Sequence, residues 1–332
     1  MTSKERFEAV LNRKPVDRAP AIEWAGWWNY TYDRWYSEGL PRVDDGTPYA
    51  INRQFGQDKL WQIWFPIRTK DCPSAAFHGA AVLEDPETYE EFRDKYLYKD
   101  EVLEDIRERL DYFLKCDPDG EYAFWYTLEG LFWYPRTLFG IEEHLYAFYD
   151  YEDVMLQMNR DLCDFYKKVL EIVYEKVQPQ FMTFAEDMSY NNGPMISHEL
   201  YEKFMAPFYN ELIPFIKSKG TKVFIDTDGD VEPLIPWFRE CGIEGVLPLE
   251  RQAGVDVNRI RANYPDFLML GGFDKTIMKN GEEAMRAEFE RLKPAIQSGG
   301  YIPAVDHQTP PDVSLENYRI FMKLLKEYTV YE

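Results

Sequence analysis

The sequence predicts an α/β protein of a single domain (residues 1–332) built as a (β/α)8 TIM-type barrel, and three observations carry that prediction. Short β-prone runs alternate with amphipathic stretches, which argues for a parallel sheet with crossover helices. Nothing resembling a linker or a change of composition divides the chain, and 332 residues that are 45% apolar and 17% aromatic can bury one large core. The β-prone runs also end repeatedly in a carboxylate, as expected where strand ends meet at one mouth.

Taken in order, Thr2 and Glu5 have capping-box spacing and Phe7, Val10 and Leu11 follow at helical intervals, so the chain opens with a short helix that Pro15 ends. From there to about residue 80 the chain is rich in tryptophan (Trp24, Trp27, Trp28, Trp35, Trp61, Trp64) without clean periodicity. This reads as an irregular, aromatic-rich N-terminal elaboration facing a ligand or an interface, although aromatics fill cores just as well. Strand candidates then recur. AIEW (21–24), YAFWYTLEG (122–130), QFMTFAED (180–187), KVFIDTDGD (222–230), GVLPLE (245–250), FLMLGGFD (267–274) and YIPAVDH (301–307) are separated by helical segments such as 201–218 and 282–297. With at least seven such runs, closure into a barrel is more economical than an open sheet plus a second domain.

Charge narrows the partners. The 59 acidic residues against 38 basic give a net charge of -21, which repels nucleic acid and anionic lipid, so neither is expected as a partner. The sequence MTSKERFEAVLNRK contains no apolar stretch of signal-peptide length, and nowhere does the chain stay uncharged for the ~20 residues a membrane helix needs. A cytoplasmic enzyme with a small-molecule substrate is the expectation. Cys72, Cys116, Cys163 and Cys241 form no CxxC pair, so they are expected to be reduced structural thiols.

The acids at the strand ends are Glu23, Glu129, Glu186 with Asp187, Asp226 with Asp228, Glu250, Asp274, and Asp306 beside His307. About half are expected to cap the helices that follow. Brought together, the rest would repel one another unless a metal, a cationic substrate or protons offset the charge. Asp226 and Asp228 lie two residues apart, so they point to the same side, with Gly229 making the tight exit turn. His307, one of four histidines, is placed at the mouth as a metal ligand or general acid/base.

Several segments together resemble the uroporphyrinogen decarboxylase and corrinoid methyltransferase superfamily: the opening TSKERFEAVLNRKPVDRAP, then NGPMISHELYEKFMAPFYNELIPFIKSKG, then GGFD, and finally PPDVSLENYR. The resemblance is strong after Phe181 and weaker between Ala25 and Asp150. It implies a barrel enzyme. In the decarboxylase branch, arginines after the first strand pair with substrate carboxylates, but here the corresponding stretch is EWAGWWNY. Carboxylate and indole in place of guanidinium make an acidic, aromatic pocket that does not suit a polycarboxylated tetrapyrrole. The methyltransferase branch holds zinc through a His-x-Cys pair and a later Cys, and by position Asp226, Asp228 and His307 stand in their places. The resemblance therefore implies a methyltransferase-like enzyme. Asp226, Asp228 and His307 would hold a divalent metal, zinc or a harder ion, with Glu186 and His307 as catalytic groups. Glu23, Trp24, Trp27 and Trp28 would line a pocket suited to a methylated ammonium compound. No Asp-x-His-x-x-Gly segment is present, so a corrinoid would come on a partner protein or free. A decarboxylase (lyase) acting on a porphyrinogen-like or small carboxylated substrate is the alternative. A glycoside hydrolase and a non-catalytic binding protein stand further off.

Overall fold

The structure, a computed structural model, describes residues 1–83 and 85–331. The strands are β1 (Leu60–Trp64), β2 (Ala123–Glu129), β3 (Phe181–Ala185), β4 (Ser189–Tyr190), β5 (Gly193–Pro194), β6 (Lys222–Asp226), β7 (Gly245–Leu247), β8 (Leu268–Phe273) and β9 (Tyr301–Val305). The helices are α1 (Ser3–Leu11), α2 (Asn29–Ser37), α3 (Tyr89–Tyr96), α4 (Asp100–Cys116), α5 (Trp133–Phe139), α6 (Ile141–Asp150), α7 (Glu152–Lys176), α8 (His198–Phe204), α9 (Ala206–Ser218), α10 (Ile235–Glu240), α11 (Val257–Asn263), α12 (Glu282–Gln297) and α13 (Leu315–Tyr328). Among the described residues, seven strands form one wholly parallel sheet in the order β1-β2-β3-β6-β7-β8-β9, while β4 and β5 make a small antiparallel hairpin.

Alternation along the strands builds two cores. Ala123, Trp125, Phe181, Phe224, Leu247, Leu268, Leu270 and Ile302 pack together on one face, with Phe7, Val10 and Leu11 of α1 against them. Phe124, Tyr126, Met182, Phe184, Val223, Ile225 and Met269 face the opposite way, into the layer beneath the helices. One compact cluster shared by β2, β3, β6, β7, β8 and β9 requires the sheet to curl around it. The sheet is thus a curled, barrel-like α/β structure, with α1 stopping its base.

Continuous closure into eight hydrogen-bonded strands is not what the described residues form. Residues 21–24, expected as the first strand, run through the gap between β9 and β1 without joining the ladder. Two of their backbone donors are already engaged, the Ala21 N–H donating to Asp58 Oδ2 (2.8 Å) and that of Glu23 to Gln57 Oε1 (3.1 Å), and Pro20 just before them has no N–H. Asp58 is buried and also receives Arg6 Nη1 (2.9 Å) and Arg18 Nη1 (2.6 Å), so one carboxylate ties α1 to the gap segment.

Elsewhere the expectations hold with corrections. The capping box of Thr2 and Glu5 forms, and α12 occupies the expected 282–297. The helix expected over 201–218 is broken at Met205, because Pro207 in the first turn of α9 has no N–H and its ring would clash with the preceding turn. The stretch expected to be irregular before residue 80 contains β1, where Trp61 and Ile63 are buried and Gln62 and Trp64 are not. The exposed Trp64 disguises that alternation.

Candidate functional site

A cavity of about 330 Å³ opens at the carboxyl ends of the strands. Trp64 closes β1, Ala185 closes β3 and Asp226 closes β6; Trp24 to Gly26 come from the gap segment, and His307 and Gln308 follow β9. Trp133 and Asp187 complete the wall, with Gln62 fixed by its Nε2 donating to Thr127 Oγ1 (2.8 Å).

The convergence of acids is narrower than the sequence suggests. Glu129 pairs with Arg68 (2.5 Å), Asp274 caps the following turn by accepting from the Thr276 N–H (2.9 Å), and Glu250 accepts from the Gly229 N–H (3.0 Å). Asp306 is fully buried and accepts from the backbone N–H groups of Arg251 (2.9 Å) and Lys275 (3.2 Å). What remains in the cavity is Asp187, Asp226 and Asp228.

Glu186 does not face that cavity. It is wholly buried beside the start of α5, where its carboxyl accepts from the N–H groups of Leu131 (2.7 Å), Phe132 (2.7 Å) and Trp133 (3.2 Å) and from the Tyr209 hydroxyl. Burial pushes its pKa up to about 7 against the pull of those backbone donors. Gly130 is required there, since a Cβ would fall inside the Glu186 carboxyl. Its neighbour takes the other role: Asp187 has a left-handed backbone (φ 43°), which turns it toward the cavity and onto Arg136 Nη1 (2.9 Å).

Asp226 and Asp228 reach the cavity together, as their spacing requires, while the hydroxyl of the intervening Thr227 accepts from the Met188 N–H (3.0 Å). Gly229 makes the exit turn (φ 79°), and a side chain there would come within 2.5 Å of the Tyr190 backbone. No hydrogen bond or ion pair reaches the Asp226 carboxyl among the described residues. Burial first, then Asp228 and Asp187, push its pKa well above the usual carboxylate range. Asp228 is pushed up to about 6 by burial, then by Asp187 and Glu250. His307 Nε2 lies 3.7 Å from Asp228 Oδ2, and Trp24 stands edge-on to the imidazole at 6.3 Å. Burial and then Lys275 lower the His307 pKa, so the neutral imidazole is favoured near pH 7.

The four residues expected to line the substrate pocket separate. Trp24 lines it, its indole N–H donating to the Val305 carbonyl (3.0 Å). Trp27 is core, packed edge-on against Trp35, Phe55 and Tyr318, and Trp28 is 46% exposed at the start of α2. Glu23 is buried behind the wall, accepting from Tyr318 (2.7 Å) and Thr309 (3.1 Å), and burial raises its pKa to about 8. Because that value lies above the ordinary 4.5, the stability Glu23 contributes is whole below about 4.5 and is lost as pH rises through about 8. Unfolding free energy is therefore expected to fall between pH 5 and 8.5 by roughly 3 kcal/mol more in the native chain than in Glu23→Gln. Urea titrations at several pH values check this; parallel curves would exclude it.

The metal donors also come together incompletely. Asp226, Asp228 and His307 share the cavity, but they do not bring three donor atoms within 4.8 Å of one another, as a common ion requires. The compact group among the described residues is instead Cys163, Asp164 and Glu211 on α7 and α9. Glu211 is there already paired with Arg160 (2.8 Å) and Lys167 (2.8 Å), so ammonium and guanidinium occupy the place of a cation. As placed, the mouth residues do not fit a bound divalent ion.

Sequence reasoning placed Trp64 only within an aromatic-rich stretch facing a ligand or an interface, and it missed Gln62 and Trp133 as lining residues. The alternation of LWQIW could have found Gln62 and singled out Trp64. Trp133 depends on the turn that Glu186 caps.

A likeness of fold extends over the whole chain. A methyltransferase from Methanosarcina mazei is 14% identical, with a TM-score of 0.63 and coverage of 99% of each chain. A protein described as a vitamin-B12 independent methionine synthase from Listeria monocytogenes is also 14% identical, with a TM-score of 0.42 and coverage of 68% of each chain. Comparison with curated proteins finds no match. No described helix is long and apolar enough to cross a membrane. The family model for uroporphyrinogen decarboxylase (URO-D) matches residues 140–328, more than half of the sequence, and the chain therefore belongs to the uroporphyrinogen decarboxylase family.

Proposed function

We propose that this chain is a methyltransferase-like enzyme whose mouth cavity takes a small methylated cation, the methyl group passing to a corrinoid supplied by a partner protein or free in solution. The observation that carries this reading is the lining: Trp24, Trp64 and Trp133 with Asp187, Asp226 and Asp228, and no lysine or arginine among them. Indole faces attract a desolvated ammonium, and carboxylates complete its neutralisation. A polycarboxylated substrate would meet repulsion, and about 330 Å³ is too small for a tetrapyrrole. For the same reason a corrin ring would present itself at the rim.

In this reading Asp187 is spent on Arg136, and Asp228 carries the charge that faces the ammonium. Loss of a methyl group leaves a neutral amine, which the carboxylate no longer attracts, so product departs more readily than substrate. The C–N electron pair stays on the amine nitrogen, and His307 beside Asp228 is the group placed to hand on the proton that this neutral amine takes up as it leaves. No step runs through a metal.

The M. mazei neighbour supports the reading by its fold alone. The test is to incubate the chain with cob(I)alamin and a panel of methylated ammonium compounds, following methylcobalamin by its visible absorbance, and in parallel to follow carbon dioxide release from carboxylated substrates. Methyl transfer from a cationic donor is the expected result. Carbon dioxide release without methyl transfer would favour decarboxylation instead, a second reading supported by Asp226, whose unpartnered, raised carboxyl is a ready proton donor. Trp64→Ala is expected to weaken cation binding by about 3- to 30-fold, read by calorimetry, since one cation–π contact contributes about 0.5–2 kcal/mol.

A further inference from the structure

We propose that a second cavity, at the opposite end of the sheet, binds a small multivalent oxyanion of the phosphate or pyrophosphate class. It holds about 430 Å³ where the amino ends of β6, β7 and β8 meet the end of α1, and it is lined by Arg13, Lys217, Lys222 and Arg239 against only Glu244 and Asp266. In a chain with 59 acids and 38 bases, this is a local reversal of charge, at the greatest remove along the strands from the acidic mouth.

The pairing inside this cavity leaves positive charge over. Lys222 Nζ lies 2.9 Å from Glu244 Oε1 and Lys217 Nζ lies 4.0 Å from the same oxygen, so one carboxylate serves two ammonium groups. Arg239 forks onto Asp266 at 2.8 and 3.2 Å. Arg13 hydrogen-bonds to no carboxylate: its Nη2 donates to the Pro265 carbonyl (2.6 Å), which also takes Arg261 Nη1 (2.8 Å). Two guanidinium groups therefore meet on one carbonyl. The Nε of Arg261 is buried without an acceptor, and burial together with Arg13 lowers the Arg261 pKa to about 10. Arg13 is also held in place: it has a left-handed backbone (φ 52°), and its guanidinium packs so closely on Gly300 that a Cβ there would lie 2.9 Å from Arg13 Nε. A fixed guanidinium beside two ammonium groups that share one counter-charge is the donor set a planar or tetrahedral oxyanion requires. The Arg239–Asp266 pair is exposed and therefore weak, so it can yield to a bound anion, while Lys222 and Glu244 are half-buried.

The test is calorimetric titration of the full chain with pyrophosphate and with inorganic phosphate at low ionic strength, beside thermal unfolding with and without each. Saturable binding with one site is expected, tighter for pyrophosphate, and weakened at least 10-fold in Arg13→Gln and severalfold in Lys217→Gln. Asp228→Asn, at the mouth, is expected to leave it within 2-fold. If Arg13→Gln unfolds, Lys217→Gln gives the same reading from an exposed position. Absence of saturable binding, or equal binding by native chain and both basal variants, would overturn the proposal.

Discussion

Truncation of Glu186 to alanine is expected to lower the unfolding free energy by about 3–5 kcal/mol, read by urea denaturation. Three backbone N–H groups and the Tyr209 hydroxyl converge on this one buried carboxyl, and alanine would leave all of them facing an apolar hole. Glu186→Gln should recover only part of the loss. Every neighbour donates, so the amide NH2 would face donors where the carboxylate accepts. Gly130→Ala should be damaging in the same measurement, since its methyl must displace the Glu186 carboxyl. A loss below about 1 kcal/mol in Glu186→Ala would mean that water replaces the side chain at little cost, and the cap would then not be what fixes α5 and Trp133.

The second large effect is expected at the mouth, and it separates two aspartates that look alike in the sequence. Asp228→Asn should weaken binding of a quaternary ammonium ligand by about 10- to 100-fold at pH 7.5, in keeping with about 1.5–3 kcal/mol for a charged partner in a partly buried site. Asp226→Asn should change it by less than about 3-fold, because burial and the two neighbouring aspartates already favour the neutral carboxyl there. The pH dependence has a definite sign. Asp228 must be ionised to attract a cation, so affinity should decline as pH falls through about 6, and in Asp228→Asn that decline should vanish. Equal effects of the two substitutions would sink this assignment.

Much of this architecture could be read from the residues. Strands β2, β3 and β6 to β9 announce themselves as short apolar runs, and the Gly229 turn follows from a glycine after two acids at a strand end. The curled parallel sheet was legible for that reason. The first stave was not. Nothing in AIEW reveals that Asp58 and Gln57, more than thirty residues on, take the N–H groups a neighbouring strand would have used. The site was legible as a region and illegible in its division of labour. Glu186 and Asp187 are adjacent acids at one strand end; only the left-handed backbone at Asp187 and the missing side chain at Gly130 decide which faces the cavity and which holds the helix. Similarly, Trp24, Trp27 and Trp28 look interchangeable in sequence. They divide into wall, core and surface because α2 begins immediately after them and turns Trp27 inward.

The carboxylate of Asp58 has a reach beyond its own hydrogen bonds. It grips Arg6, Arg18 and the backbone of Ala21, and three residues past Ala21 stands Trp24 at the rim. The stopper at the foot of the sheet and one lip of the mouth thus hang from a single nail. Loosening the stopper, by cutting or crowding the first few residues, should slacken the lip at the far end, and the chain would lose its grip on ligand well before it lost its shape.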